Sequence, residues 1–179
     1  REQLAFKGEI IVLLHHSDPR WHNVKTNLEG HKLKFGYSGS LPSLGHTKNF
    51  LHVNEVKKIY PFTFVDTDRG EIPTTVDFGM DLSVRPLNTP VSRFKTSAKV
   101  ATAAAMGHNI ITTWDEAVKD CLPIDYPFAL QNDTLPALRE MMDKASQDYA
   151  GQKLLWKKGL RMMEAVNAKL SLPAIAKEY

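Results

Sequence analysis

A chain of 179 residues with 42% apolar and 24% charged residues can bury a core and fold in water as one domain plus an appendage. A formal charge of +3, with no basic run interleaved with aromatics, excludes a nucleic-acid partner and leaves a small anion as the expected electrostatic ligand. The single cysteine, Cys121, excludes an intrachain disulfide and a cysteine-rich zinc site and points to a reducing, cytoplasmic home.

No apolar run approaches the ~20 residues of a membrane span, so neither a transmembrane segment nor a signal peptide is expected. The chain begins at Arg1, which suggests a piece of a larger protein. Glu9 to His16 is a continuous apolar run of strand length, expected to be buried on both faces and broken by Ser17-Asp18-Pro19-Arg20. His15, His16 and Asp18 suggest a metal site, but consecutive strand residues point to opposite faces, so a histidine at an inter-domain cleft is the better reading.

His22 to His31 reads as polar and turn-like, and Lys32 to Ser38 as a strand entering the loop Gly39-Ser40-Leu41-Pro42-Ser43-Leu44-Gly45. That loop suits close approach to a ligand, although an ordinary surface loop reads the same. Lys48 to Tyr60 has helical apolar spacing and stops at Pro61; Phe62 to Val65 is a strand, with a polar turn at Asp66 to Gly70. Thr74 to Gly79 reads as a degenerate crossover helix, and Asp81 to Arg85 as a strand ended by Pro86.

Ala98 to Met106 is a run of helix formers, with Thr96 and Ser97 as candidate N-caps and Gly107 at the left-handed position that ends it. Ile110 to Thr113 follows as a strand, then a turn of helix at Trp114 to Val118 and an edge strand within Tyr126 to Leu130. Beyond Asn132 the chain is helical: one helix capped by Asp133 or Thr134 with Pro136 in its first turn, a second from Lys153 to Leu170, and a third capped by Ser171. Their methionines sit at helical spacing and read as core packing.

The alanine-rich helix carries Arg93, Lys95 and Lys99 at the end where its unpaired N–H groups and macrodipole are already positive. No acid occurs between Asp81 and Asp115 to neutralise them or Arg85. A bound phosphate would supply the missing partner; the alternative is that the side chains reach into water. The alternation of strands and helices implies an α/β fold, a Rossmann-like open parallel sheet with helices on both faces and a helical C-terminal tail. The Gly-Ser loop, Arg85-Pro86 and Arg93 to Lys99 would then share the carboxyl edge of the sheet.

The order strand, Gly-Ser loop, helix, strand, Asp81-Leu82-Ser83-Val84-Arg85-Pro86, then Lys95-Thr96-Ser97-Ala98-Lys99 and small residues to Gly107, resembles the C-terminal, nucleotide-sugar-binding domain of GT-B glycosyltransferases of polysaccharide synthesis. The resemblance covers roughly residues 33–179. It implies half of a GT-B fold: residues 1–31 as the tail of an N-terminal domain and linker, 32–131 as the donor-binding domain, and 132–179 as helices packing on it and towards a partner domain.

By the same resemblance Arg93, Lys95, Lys99 and the N–H groups of Thr96 and Ser97 would grip the donor diphosphate. Gly39 and Ser40 would flank the sugar phosphate, Val84, Arg85 and Pro86 the base, and Thr102 the ribose. The implied partners are a nucleotide sugar, a glycan or other acceptor, and an N-terminal Rossmann-like domain; no cofactor or metal is expected, and this piece alone should transfer nothing. The common retaining pattern places two glutamates where this chain has Lys95 and Ala103, which leaves the stereochemistry open. Rival expectations are a non-catalytic nucleotide- or phosphate-binding module and a protein-interaction domain.

Overall fold

The computed structural model describes residues 18–28, 32–39, 48–67, 70–87, 89 and 96–178. The strand expected over residues 9–16, with His15 and His16, lies outside them. In chain order the strands are β1 (Lys25–Thr26), β2 (Phe35–Gly39), β3 (Phe62–Asp66), β4 (Thr75–Val76), β5 (Met80–Ser83), β6 (Asn109–Thr113) and β7 (Ala129–Leu130). The helices are α1 (Lys48–Val56), α2 (Ala98–Ala105), α3 (Glu116–Lys119), α4 (Leu135–Ala150), α5 (Leu154–Leu170) and α6 (Leu172–Glu178), preceded by a 3-10 turn at Pro19–Asn23.

Five strands form one wholly parallel sheet in the order β3-β2-β5-β6-β7, flanked by helices: a Rossmann-like α/β fold with a helical C-terminal region. A parallel sheet covered by its own crossovers needs strands that are apolar or satisfied on both faces. Every residue of β5 and β6 is buried, with Met80, Leu82, Ile110 and Ile111 at 0 to 2% exposure. Gly107, at φ +71°, takes the left-handed position that turns the chain from α2 into β6.

The tail packs back on this sheet. Leu138, Met142, Ala145 and Tyr149 of α4 and Trp156, Met163, Val166 and Leu170 of α5 form its buried stripes, and Met142 and Met163 are core packing as their spacing implied. Trp156 meets Tyr149 edge-on at 4.8 Å. The Thr134 hydroxyl accepts from the Ala137 N–H and begins α4 as an N-cap. None of the described helices is long and apolar enough to cross a membrane.

One expected element is different. Thr74 to Gly79 is not a crossover helix; it contains β4, which pairs with β1 in a separate two-stranded parallel sheet. The Lys25 N–H donates to the Thr74 carbonyl at 3.0 Å and the Asn27 N–H to that of Val76 at 2.8 Å, so the backbone of this β-branched stretch is satisfied across the chain rather than within a helix. The segment read as a polar turn, His22 to His31, therefore supplies a strand. Beneath it Trp21, Val24, Val76, Phe78 and Met106 form a second, smaller apolar cluster.

Candidate functional site at the carboxyl edge of the sheet

The strand order places a topological switch between β2 and β5, because the chain leaves β2 through α1 for β3 on one side and leaves β5 through α2 for β6 on the other. In open α/β sheets ligands bind in the crevice outside the carboxyl ends of the strands at such a point. Gly39 ends β2, Val84, Arg85 and Pro86 follow β5, and Thr96, Ser97 and Lys99 open α2. Three separate stretches singled out in the sequence thus lie at the carboxyl edge of one sheet. Ser40, Arg93 and Lys95 lie outside the described residues.

Lys99 is the cation the fold turns inward. Its Nζ lies 4.0 Å from the centroid of the Tyr37 ring, over a face that attracts positive charge. It also crosses Gly39 so closely that a Cβ there would collide with it. Burial depresses its pKa to about 8; the Arg85 charge pushes the same way and Asp81 opposes both. An ammonium held this way is poorly hydrated.

Arg85 is not a free cation, although no acid in the local sequence between Asp81 and Asp115 could neutralise it. Its Nη1 lies 3.4 Å from Asp115 Oδ2, with both side chains buried, and its Nη2 donates to the Thr96 carbonyl at 2.8 Å. Asp115 arrives because β5 and β6 are neighbours, so residues just past their carboxyl ends meet. Its other oxygen accepts the Val118 N–H at 3.0 Å and caps α3. Arg85 therefore ties the residue before the α2 cap to the end of β6, and its backbone N–H donates to Thr113 Oγ1 at 3.0 Å.

Ser97 also departs from expectation. It stands at the N-cap of α2, but its hydroxyl makes no capping bond and instead lies 2.8 Å from Cys121 Sγ. The first N–H groups of α2 thus gain no side-chain cap from Ser97. Burial holds the Cys121 thiol above its ordinary pKa, which keeps it in the neutral form that packs against Ser97. Thr102 sits one turn further along α2 and is partly buried; Val84 is buried and Pro86 partly so.

Sequence reasoning missed a buried polar chain behind the crevice, in which Asp81 links Ser38 and His108, and His108 meets Thr26. The signal was present in Asp81, an acid in a strand expected to be buried on both faces, which requires partners. A shallow groove of about 650 Å³ lies elsewhere, lined by Cys121, Leu122, Lys158, Arg161, Met162 and Lys169 among others. Two of its cations are already engaged, Lys158 with Asp125 and Lys169 with the Asp120 carbonyl. No protein-family model matches the chain, and no curated protein matches it either.

Proposed function

We propose that this domain is the donor-binding half of a GT-B-type glycosyltransferase, which holds the diphosphate of a nucleotide sugar between β2 and β5 for transfer of the sugar to a glycan or other acceptor. The observation that carries the reading is the inward ammonium of Lys99, laid over Gly39 at the switch point beside the open first turn of α2. As the glycosidic bond breaks, negative charge builds on the departing nucleoside diphosphate, and a fixed cation with helix N–H donors stabilises it most where water is scarce. Arg93, Lys95 and Ser40 would complete the grip, with Val84 to Pro86 towards the base and Thr102 towards the ribose. The acceptor and any general base belong to an N-terminal Rossmann-like partner domain.

A thermal-shift panel of UDP, GDP, ADP and their sugars tests this. A ligand at about 100 times its Kd stabilises the fold by ~2.7 kcal/mol, which in a chain of this size raises Tm by roughly 5–10 °C. A shift with one nucleotide series is expected; no shift with any would remove the donor-site reading and favour an interaction domain. Binding without transfer, once the partner domain is supplied, would mark a non-catalytic nucleotide-binding module.

Gly39 offers a second check. A methyl group there would displace the end of the Lys99 side chain, and because φ at Gly39 is +157°, which residues with a side chain rarely adopt, it would also strain the backbone. Gly39→Ala is expected to weaken nucleotide affinity about tenfold, the equivalent of one lost charge contact of ~1.4 kcal/mol, and to cost about 1–3 kcal/mol of stability through the strained backbone. Isothermal calorimetry and a melting curve on the same sample read both quantities, and unchanged affinity would place the phosphate elsewhere.

A further inference from the structure

Tyr37 is the third residue of β2, a strand held by β3 on one side and β5 on the other. Its backbone is in register with Phe64 and its side chain is buried, so the ring is fixed in place by packing. The Lys99 Nζ stands 4.0 Å from the centroid of that ring. A methyl group on Gly39 would meet Nζ first, then Lys99 Cε at 3.1 Å and Tyr37 Cε1 at 3.2 Å. The ring, the ammonium and the Gly39 backbone are therefore packed together at the end of β2.

Lys99 makes no hydrogen bond or ion pair with any other described residue, and the ring face is its one direct partner among them. Its pKa of about 8 leaves it mostly charged at neutral pH. A π face serves such a cation differently from a carboxylate. A carboxylate would cancel the charge and take up N–H donors, and an incoming phosphate would have to displace it. The ring attracts through its quadrupole and carries no net charge, so a full unit of positive charge remains for an anion. The four-carbon stem of a lysine otherwise spreads its charge over many rotamers, and fixing it in advance removes an ordering cost from binding.

We propose that Tyr37 is a positioning residue of the donor site: its ring face holds the Lys99 ammonium over Gly39, at the carboxyl end of β2, without neutralising the charge that a phosphate would meet. The proposal rests on the donor-site reading of Lys99, and Tyr37 acts through that lysine. It also accounts for a cation at the start of α2 that no acid in the local sequence neutralises. An aromatic side chain from a strand distant in the chain supplies the hold instead.

The test compares Tyr37→Phe, which keeps the ring face, with Tyr37→Leu, which keeps apolar bulk and has no quadrupole. Calorimetric titration with UDP, GDP and ADP should give an affinity within about twofold of the wild type for Tyr37→Phe and a loss of about tenfold for Tyr37→Leu. Unchanged affinity in Tyr37→Leu overturns the proposal. A Phe variant as weak as the Leu variant also overturns it, because the hydroxyl would then be what matters.

A second readout needs no nucleotide. In NMR of ligand-free protein with carbon-13 lysine, the Lys99 ε-methylene protons, assigned by their absence from Lys99→Met, should lie upfield in the ring current of Tyr37. Lys153, whose Nζ is 3.9 Å from the Tyr149 centroid, gives an internal reference. The Lys99 signal should stay upfield in Tyr37→Phe and move downfield in Tyr37→Leu, while the Lys153 signal is unmoved in both. If Tyr37→Leu does not fold, the wild-type spectrum and the Phe affinity decide: an undisplaced Lys99 signal or a weakened Phe variant overturns the proposal, and the opposite pair of results supports it. The two claims fail separately. A wild type that binds none of the three nucleotides removes the donor reading, and the binding role of Tyr37 with it, wherever the lysine signal lies. A wild type and a Tyr37→Leu variant that bind equally leave the donor reading standing and remove the role of Tyr37 alone.

Discussion

Lys99→Met should give a protein that melts at a higher temperature than the wild type at neutral pH and no longer binds nucleoside diphosphates. The folded state lowers the Lys99 pKa from its ordinary 10.5 to about 8, chiefly by burial. Between those values the unfolded chain binds more protons than the folded one, so stability rises with pH through that window. Below pH 8 the penalty of holding a charged, desolvated ammonium is fully present. Methionine is an unbranched chain of similar length that fills the same path across Tyr37 without the charge. The gain at pH 7 should be on the order of 2 kcal/mol, or roughly 4–8 °C in Tm, and should shrink as the solution is made more alkaline. Added nucleotide should then reverse the order of the two proteins, since only the wild type is stabilised by it. Melting curves at neutral and alkaline pH, with and without nucleotide, check each part; a variant less stable than the wild type at neutral pH would mean that Lys99 is a structural group.

How far the fold could be read from the chain follows from how local each signal is. β6 and α2 announce themselves through a branched apolar run and an alanine-rich one, and the glycine between them has one geometric use at φ +71°. The cap at Thr134 also lies within a few residues of the N–H group it serves. β4 failed as a sequence reading because a two-residue strand has no period and exists only through its pairing with β1. The site divides the same way: the carboxyl-edge position of Gly39, Arg85 and Lys99 followed from the alternation of strands and helices. The counterion of Arg85 did not, because Asp115 is 30 residues on and becomes a neighbour only through the β5-β6 register. Ser97 looked like a cap because nothing local reveals that Cys121 takes its hydroxyl. The partners of Asp81 required the strand order itself, since Ser38 and His108 come from the strand and strand entry on either side of β5.

Asp115→Ala should be the most destabilising single change at the carboxyl edge. It removes the carboxylate beside Arg85 while leaving a side chain that is only 10% exposed, and breaking a buried pair from one side costs about 3–5 kcal/mol because the remaining charge is uncompensated. It also removes the α3 cap at Val118, which contributes about another 1 kcal/mol. Together these predict a Tm roughly 10 °C or more below the wild type. The double variant Arg85→Met with Asp115→Ala should recover a large part of that loss, since no orphaned charge remains. It should still bind nucleotide more weakly than the wild type, because the bond from Arg85 to the Thr96 carbonyl, which holds the start of α2 against the sheet, is gone. Denaturant melts of the two single variants and the double give the coupling between the residues directly. Additive losses would show that Arg85 and Asp115 each meet water and that the crevice is more open than their burial indicates.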